Sequence, residues 1–206
     1  MTLAVGATIE RYQVEEVIGE GGMAVVVKAR HLQLGSLHAI KVLKDCKPSV
    51  AERVVQEGQL QSTLKHPNVV HVTDMLTVNG SPALVMEYVS GPTLAQLLRQ
   101  FRPSFAQSDS IARGVMAGVA AAHKAGFIHR DLKPANVMLS VEGGILVPKI
   151  TDFGLAKALQ PDPDAMAKKL TEQGMIVGTP AYMAPEQFEN SSGVDARTDV
   201  FSLGAS

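Results

Sequence analysis

The first part of the chain contains short runs of apolar and β-branched residues, which is the pattern expected of strands. Residues 12–18, 25–27 and 37–43 are predicted to form three of them, because such residues pack well on a pleated sheet. Asn79-Gly80 lies between two apolar segments and predicts a hairpin turn, whose second strand covers residues 83–89. This part is therefore predicted to be mainly antiparallel sheet.

Helical periodicity then becomes the main pattern. Residues 50–65 are predicted to form a helix that begins at a capping box of Ser49 and Glu52 and stops before Pro67. Thr93 is predicted to cap a second, short helix. A third helix is expected to stop at Gly126. The second helix carries Leu94, Leu97, Leu98 and Phe101, and the third carries Ile111, Val115, Val119 and Ala122. Residues 142–144 (EGG) predict a turn between two further strands.

Composition narrows the class of protein. The chain has 206 residues, of which 46% are hydrophobic and 19% charged, which fits one large domain or two small lobes of a globular protein. A formal net charge of −1 does not favour binding to nucleic acid or to acidic membranes. The single Cys46 cannot form an internal disulfide, which favours a reducing compartment, the cytoplasm. No apolar run reaches the ~18–20 residues of a membrane span, and the N-terminus makes a poor signal peptide.

The candidate chemistry is concentrated in residues 129–136, HRDLKPAN, and in Asp152-Phe153-Gly154. Asp131 can accept a proton from an attacking hydroxyl, and Lys133 can balance charge on a transferred phosphate. Asn136 and Asp152 offer the oxygen ligands that Mg²⁺ prefers. This set suits the transfer of a phosphoryl group from a metal-bound nucleotide.

These motifs resemble those of the eukaryotic-type (Hanks-type) Ser/Thr protein kinases, in the bacterial style, whose HRDLxxxN and DFG signatures occur here in order. The GTPAYMAPE run at residues 178–186 and Lys133 fit the Ser/Thr branch. The resemblance implies an α+β bilobal fold in a single domain over 1–206. Its N-lobe would cover about 12–87, its hinge about 87–91 and a partial C-lobe about 92–206.

The glycine-rich run after Ile18 is ambiguous by itself. Gly19-Glu20-Gly21-Gly22 could be a tight turn, or the start of a dinucleotide-binding fingerprint that opens a helix. Since residues 25–27 continue as a strand, a hairpin lid over phosphates is the better interpretation. Ala24 stands where the kinase loop usually has its third Gly, and its methyl group should restrict the loop slightly.

The resemblance also implies the nucleotide contacts. Lys41 would bind phosphates and pair with Glu57, and Ile18 with the glycine-rich run at residues 19–22 would contact the ATP. Val26, Ala39 and Met138 would enclose the adenine, Met86 would be the gatekeeper, and backbone groups of Glu87 to Val89 would meet the adenine edge. One position departs from the family: Gln61 stands where an apolar residue usually packs on Phe153, and a buried amide without a partner costs roughly 1–3 kcal/mol. Gly58 should lower local helix propensity by roughly 1 kcal/mol.

The activation segment would run from Asp152 to Glu186. By resemblance Thr179 hydrogen-bonds Asp131 and Lys133. Thr171 is either an uninvolved surface residue or a phosphorylation switch, and three basic positions favour the switch because a phosphate needs cationic partners. Those positions are Arg53, Arg130 and Lys157.

The last recognisable feature is Asp199, which by resemblance would hold the backbone of the HRD loop. A complete kinase domain would continue beyond Ser206, so Glu186 is expected to be a buried carboxylate without its usual Arg partner. The implied function is ATP- and Mg²⁺-dependent (or Mn²⁺-dependent) phosphorylation of protein Ser or Thr, with transient homodimers for autophosphorylation. The alternative is an inactive, truncated nucleotide-binding or interaction fragment of a larger kinase.

Overall fold

The computed structural model describes residues 3–44, 46–153, 180–189 and 194–206, and within these ranges an antiparallel sheet forms first. Its strands follow the spatial order β1-β2-β3-β4-β6-β5. The first three are β1 (Thr8–Ile9), β2 (Tyr12–Glu20) and β3 (Ala24–His31). The others are β4 (Leu37–Leu43), β5 (Val72–Val78) and β6 (Ser81–Glu87). The predicted α+β class is confirmed, and β1 is a strand that the sequence pattern did not reveal.

Two of the predicted strands have informative boundaries. β4 covers residues 37–43, as predicted. β6 was predicted two residues too late, because Asn79 and Gly80 form a two-residue turn with φ values of 51° and 79°. Such a turn returns the chain to pairing at once, and Ser81 already pairs with Val78.

The core of the sheet is apolar, and polar contacts at the surface link the start of β2 to β5. Val27, Ile40 and Val85 are fully buried in this core. At the surface, Arg11 and the hydroxyl of Tyr12 both donate to the carboxylate of Asp74 on β5. Burial acts to raise the pKa of Asp74, but the hydrogen bonds from Arg11 and from the backbone of Met75 outweigh it, and the pKa is lowered.

Helix α1 (Pro48–Gln61) corrects the predicted capping. The helix begins two residues earlier than expected, with Lys47 at the N-cap and no side-chain cap, so the proposed Ser49 box does not form. Pro48 explains the early start, since its fixed φ suits the first helical position. The helix also ends at Gln61, earlier than the predicted residue 65. Just after this end, the hydroxyls of Ser62 and Thr63 donate to carbonyls of the last turn.

Gly58 has a packing reason that outweighs its poor helix propensity. It is buried on the face of α1 that packs on β5 and β6. A Cβ atom there would lie 2.7 Å from Cδ2 of Leu84 and 2.8 Å from Sδ of Met75. The absence of a side chain therefore lets the helix approach the sheet closely. Gln61, one turn later, is buried as expected, with 3% of its surface exposed.

The later part of the chain is mainly helical, as predicted. Helix α2 (Leu94–Gln100) begins at a capping box made by Thr93 and Gln96. Helix α3 (Phe105–Lys124) begins at a second box, made by Ser104 and Gln107. The four predicted apolar positions of α3 are buried, and Gly126 follows its end with a φ of 85°.

A hairpin and two short helices are the other elements that the described ranges of this part contain. β7 (Val137–Glu142) pairs with β8 (Ile145–Ile150) across the predicted turn, where Gly143 and Gly144 have positive φ. Helix α4 (Pro185–Glu189) and helix α5 (Arg197–Gly204) follow, with 3-10 turns at Pro134–Asn136 and Pro180–Tyr182.

Two compact units are distinguished by their internal contacts. The first comprises residues 1–65 and 70–90, and the second residues 66–69 and 91–206. Within the ranges that the structure describes, no helix has the length and apolar character needed to cross a membrane.

Candidate active site

The backbone of the HRD loop is held by a buried carboxylate. Asp199, fully buried on α5, accepts hydrogen bonds from the amides of His129 at 2.8 Å and Arg130 at 2.9 Å. Its Oδ2 atom also lies 2.7 Å from Nε2 of His123, in the last turn of α3. This is the contact expected of Asp199 by resemblance, and it fixes a loop in which Arg130 adopts a φ of 68°.

His129 is fully buried and has a tautomer that its partners define. Its Nε2 atom lies 2.8 Å from the carbonyl oxygen of Thr151, and its Nδ1 atom lies 3.3 Å from the amide of Asp131. Since a carbonyl only accepts and a backbone amide only donates, the proton is on Nε2. The ring meets Phe153 edge to face, with centroids 4.7 Å apart. His129 therefore connects the loop to the residues around Asp152.

The carboxylate of Asp131 is held from two sides. Nζ of Lys133 donates to its two oxygens at 2.9 and 2.7 Å. The amide nitrogen of Asn136 donates to the Asp131 carbonyl at 2.7 Å and to Oδ2 at 3.1 Å. The Asp131 side chain keeps 39% of its surface exposed. A base with a fixed orientation and an open face is what acceptance of a proton from a bound hydroxyl requires.

The two candidate metal ligands lie at the open end of the β7–β8 hairpin. The amide of Thr151 donates to the carbonyl of Asn136 at 2.9 Å, which extends the hairpin register to the residue before Asp152. Because the side-chain nitrogen of Asn136 is bound to Asp131, its Oδ1 atom is the one available as a ligand. Carboxylate and amide oxygens of this kind fit Mg²⁺.

The glycine-rich segment forms a hairpin turn in the first unit. Gly19 pairs with Val26, and the amide of Gly21 donates to the carbonyl of Ala24 at 2.9 Å. The chain continues as strand β3, so the alternative of a dinucleotide-binding fingerprint is excluded. Glu20 is bound by Lys44 at 2.7 Å, and this hydrogen bond lowers the pKa of the Glu20 carboxyl.

The strand register brings the predicted nucleotide-binding residues of the sheet onto one face. Val26 lies opposite Lys41, and Ala39 lies opposite Met86. Directly opposed residues of antiparallel strands have side chains on the same face, as have residues two apart in one strand. Val26, Lys41, Ala39 and Met86 therefore share a face.

The remaining predicted residues have the following positions. Glu57 and Arg53 lie one turn apart on α1, and both are half-buried. Ile18 is exposed at the end of β2, whereas Val89 is buried after β6, which ends at Glu87. Met138 lies in β7 in the second unit, where it forms an isolated bridge with Thr93. The Lys41–Glu57 ion pair stays a prediction.

Glu186 corrects the expectation of a buried, unpartnered carboxylate. It is exposed on α4, and its Oε1 atom accepts a hydrogen bond from the hydroxyl of Thr198 at 3.0 Å. Its position on the open side of a short surface helix explains the difference, since water reaches it.

Gly22, in the glycine-rich turn, lies in open space, because no described atom would lie within 4 Å of a Cβ atom there.

Several predicted residues lie outside the described ranges. They are Gly154 of the DFG motif, Lys157, Thr171 and Thr179. The hydrogen bonds of Thr179 and the phosphate-binding role of Arg53, Arg130 and Lys157 therefore stay predictions.

Two residues at the site were missed by the sequence analysis. His123 contacts Asp199, and Gln187 donates to the carbonyl of Arg130 at 2.7 Å. Gln187 directly follows the APE motif, at the third position of a helix, where a Gln commonly caps the backbone. That position was the available signal, although the second bond depends on tertiary structure. The loop, its buried anchor and the two oxygen ligands have the character of a phosphoryl-transfer site.

Comparison with known proteins gives the same class. A family model described as "Protein kinase domain" matches residues 12–206. The serine/threonine-protein kinase pkn3 of Myxococcus xanthus is 40% identical over 97% of this chain, which covers 37% of that protein. The serine/threonine-protein kinase PknB of Mycobacterium leprae is 36% identical over 95% of this chain, which covers 31% of that protein.

Solved structures show the same fold. Rad53 1–466 in complex with AMP-PNP matches with a TM-score of 0.73 and 28% identity, over 95% of this chain and 46% of that chain. The apo form of PpkA-294 matches with a TM-score of 0.80 over 98% of this chain and 76% of that chain, and at 22% identity this likeness concerns the fold alone.

The chain belongs to the protein kinase family. Its relatives are named as Ser/Thr protein kinases of bacteria. The chain spans about a third of the length of these curated relatives.

Proposed function

We propose that this chain transfers the γ-phosphoryl group of ATP to Ser or Thr hydroxyls of proteins. The observation that carries the proposal is the environment of Asp131, whose carboxylate is held by Lys133 and Asn136 while one side stays open. Asp131 accepts the proton of the attacking hydroxyl, and Lys133 balances charge on the transferred group. Positioning of this kind supplies much of the catalysis in phosphoryl transfer.

The metal and phosphate groups are assigned to separate sets of residues. Asn136 and Asp152 bind Mg²⁺, or Mn²⁺ in its place, through side-chain oxygens. Held by these two residues, the ion would supply positive charge that neutralises the phosphates. Lys41, which Glu57 orients, and the turn at residues 19–22 bind the phosphates. Val26, Ala39, Met86 and Met138 pack on the adenine, and the backbone from Glu87 to Val89 binds its edge.

The partners of this function follow from its chemistry. The substrates are proteins with accessible Ser or Thr residues, and autophosphorylation would proceed through transient homodimers. The cytoplasm is the proposed location, since Cys46 is the only Cys in the chain and ATP is the phosphate donor. Thr171 is the proposed autophosphorylation site, with Arg53, Arg130 and Lys157 as cationic partners of its phosphate. Full activity of Thr171→Ala, together with an unmodified loop in mass spectra, would contradict this part.

The experiment is a radiolabelled ATP transfer assay with a generic Ser/Thr acceptor protein and Mg²⁺. Wild type is compared with Asp131→Asn, which keeps the size of the side chain but removes the base. The control is Asp109→Asn, which changes a half-exposed residue of α3 whose ion pair among the described residues is with Arg113. The proposal expects transfer by wild type and by the control, and its loss in Asp131→Asn. Binding of Mg-ATP without transfer in wild type would instead identify a non-catalytic nucleotide-binding module.

A further inference from the structure

Three helices in the described part of the chain have a Gln at the third position that accepts a hydrogen bond from the amide of the capping residue. Gln96 and Gln107 do so at 2.8 and 2.9 Å. Gln187 does so in α4, where its Oε1 atom accepts from the amide of Ala184 at 3.0 Å. In each helix this bond satisfies a backbone donor that the helix itself leaves unpaired.

Gln187 differs from the other two in what its side chain does next. The capping residues of α2 and α3 are Thr93 and Ser104, whose hydroxyls complete the box by accepting from the helix. Ala184 has no such hydroxyl. Instead, the side-chain nitrogen of Gln187 donates to the carbonyl oxygen of Arg130, at 2.7 Å and across 57 residues of sequence.

The bonded carbonyl belongs to the peptide that joins Arg130 to Asp131. The peptide on the other side of Arg130 is already held, because its amide donates to Asp199 at 2.9 Å. Arg130 has a φ of 68°, in the left-handed region that non-glycine residues adopt only when their surroundings fix them. Gln187 and Asp199 therefore fix the two peptides that flank this strained residue.

We propose that Gln187 is a positioning residue for Asp131. Its amide fixes the plane of the Arg130–Asp131 peptide, and through it the direction of the Asp131 carboxylate. The same side chain caps α4, which begins at Pro185, within the GTPAYMAPE run. One amide thus joins the end of the activation segment to the catalytic base. This proposal rests on the proposed kinase function.

The chain offers a substitution that separates the two roles of Gln187. In Gln187→Glu the carboxylate still accepts from the amide of Ala184, and an acidic residue in the first turn favours the helix. A carboxylate cannot donate, so the bond to the Arg130 carbonyl is lost. The matched control is Gln107→Glu, which makes the same change at the same helical position of α3, where no second bond exists among the described residues.

The experiment compares wild type, Gln187→Glu and Gln107→Glu by amide hydrogen exchange and by ATP transfer. In Gln187→Glu, exchange of the peptide covering residues 128–137 should be about five-fold faster, as expected for loss of one ordinary hydrogen bond. The value of kcat should fall about ten-fold or more, with KM for ATP unchanged and the unfolding midpoint lowered by no more than the loss of one hydrogen bond accounts for. Gln107→Glu should match wild type in all four measurements.

A double variant tests whether the effect passes through Asp131. Adding Gln187→Glu to Asp131→Asn should change residual transfer by less than about two-fold, because groups that act as a unit are not additive. Wild-type exchange and kcat in Gln187→Glu would overturn the proposal, as would a general loss of stability with an additive effect in the double variant. If wild type shows no more transfer than Asp131→Asn, the proposed function fails, and the exchange comparison alone decides the role of Gln187.

Discussion

Asp199 and Arg130 lie 69 residues apart in the sequence and are joined by a hydrogen bond of 2.9 Å between carboxylate and backbone amide. The other oxygen of Asp199 is shared between the amide of His129 and the imidazole of His123. The Asp199 carboxylate is fully buried, so these three donors must satisfy its hydrogen-bonding capacity in place of water.

Asp199→Asn should destabilise the second unit and loosen the HRD loop. The new amide has one acceptor oxygen instead of two, so at least one backbone donor would face an NH₂ group. Leaving a buried donor unpaired costs about 1–3 kcal/mol. Urea unfolding at neutral pH measures this loss.

The control for this substitution is Asp195→Asn, which makes the same change at an exposed residue four positions earlier in the sequence. Within the described part of the chain, the ion pair of Asp195 is with Arg197 at the surface, and such pairs contribute little. An equal loss of unfolding free energy in both variants would show that the burial of Asp199 is not the cause.

Gly91→Ala should be strongly destabilising for a purely steric reason. A Cβ atom at Gly91 would lie 1.7 Å from the carbonyl oxygen of Leu139 and 2.9 Å from its carbonyl carbon. Backbone atoms cannot rotate away as a side chain can, and the adjacent hydrogen bond from Leu139 to Pro92 would have to shift. We expect a loss of about 1–3 kcal/mol in unfolding free energy.

Gly204→Ala is the matched control for this prediction. It adds the same methyl group in α5, where no described atom lies within 4 Å of the new Cβ. Thermal unfolding of the two variants should differ clearly, with Gly204→Ala at or above the wild-type midpoint because Ala favours helix. Equal midpoints would mean that the Gly91 segment relaxes without cost.

Asn136→Asp should disrupt the site although the side chains have nearly the same size. The substitution removes the donor to the carbonyl and carboxylate of Asp131 and puts two carboxylates about 3 Å apart. Repulsion raises the pKa of such a pair in the folded state. The penalty is therefore present at neutral pH and is relieved as the pH falls toward about 4, where one carboxyl is protonated.

The measurement is the unfolding free energy of Asn136→Asp and wild type across this pH range. The difference should be about 1–3 kcal/mol at pH 7 and smaller at low pH. A difference that does not change with pH would argue against carboxylate repulsion. In the transfer assay the variant should lose most activity with Mg²⁺.

His38 should make folding sensitive to mild acid. Burial lowers its pKa below the ordinary value of 6.5, and the neighbouring His31 lowers it further. The unfolded chain therefore takes up a proton before the folded protein does. The free energy of unfolding should fall as the pH decreases through 6.5 toward the lowered value, and His38 should contribute nothing to the pH dependence above that range.

His38→Gln tests this linkage. The ring nitrogens of His38 contact the hydroxyls of Ser36 and Thr73, and an amide can keep hydrogen bonds of this kind. The variant should show a flatter profile of unfolding free energy between pH 7 and pH 5, with a constant offset from wild type above pH 7. Parallel profiles across the whole range would exclude His38 as the source.

The fold was predictable wherever a local pattern determines the structure. Asn79 and Gly80 demanded a two-residue hairpin, and the periodicity of Ile111, Val115 and Val119 gave the buried face of α3. The capping of α1 was predicted wrongly. Pro48 and Ser49 are both typical of a helix start, and the helix begins at Pro48 instead of being capped by Ser49.

Motif spacing was sufficient to propose the residues of the candidate site, whose roles stay predictions, but not the residues that support them. The residues of HRDLKPAN and Asp152 are themselves the ones proposed to carry the chemistry, so motif spacing is enough to identify them. His123 and Gln187 act through bonds to residues 76 and 57 positions away, and no local spacing encodes such contacts. The burial of Gly58 likewise depends on Met75 and Leu84, which only the folded sheet brings beside it.

The β7–β8 hairpin has a practical consequence for experiments on this protein. Its open end carries Asn136 and Thr151, while its tip at Gly143 and Gly144 is flanked by Val141 and Ile145, which are 64% and 63% exposed. Residues added at the tip leave the strand register at the open end unchanged. A fluorescent label or an affinity tag can therefore be inserted there without altering the residues proposed to bind the metal.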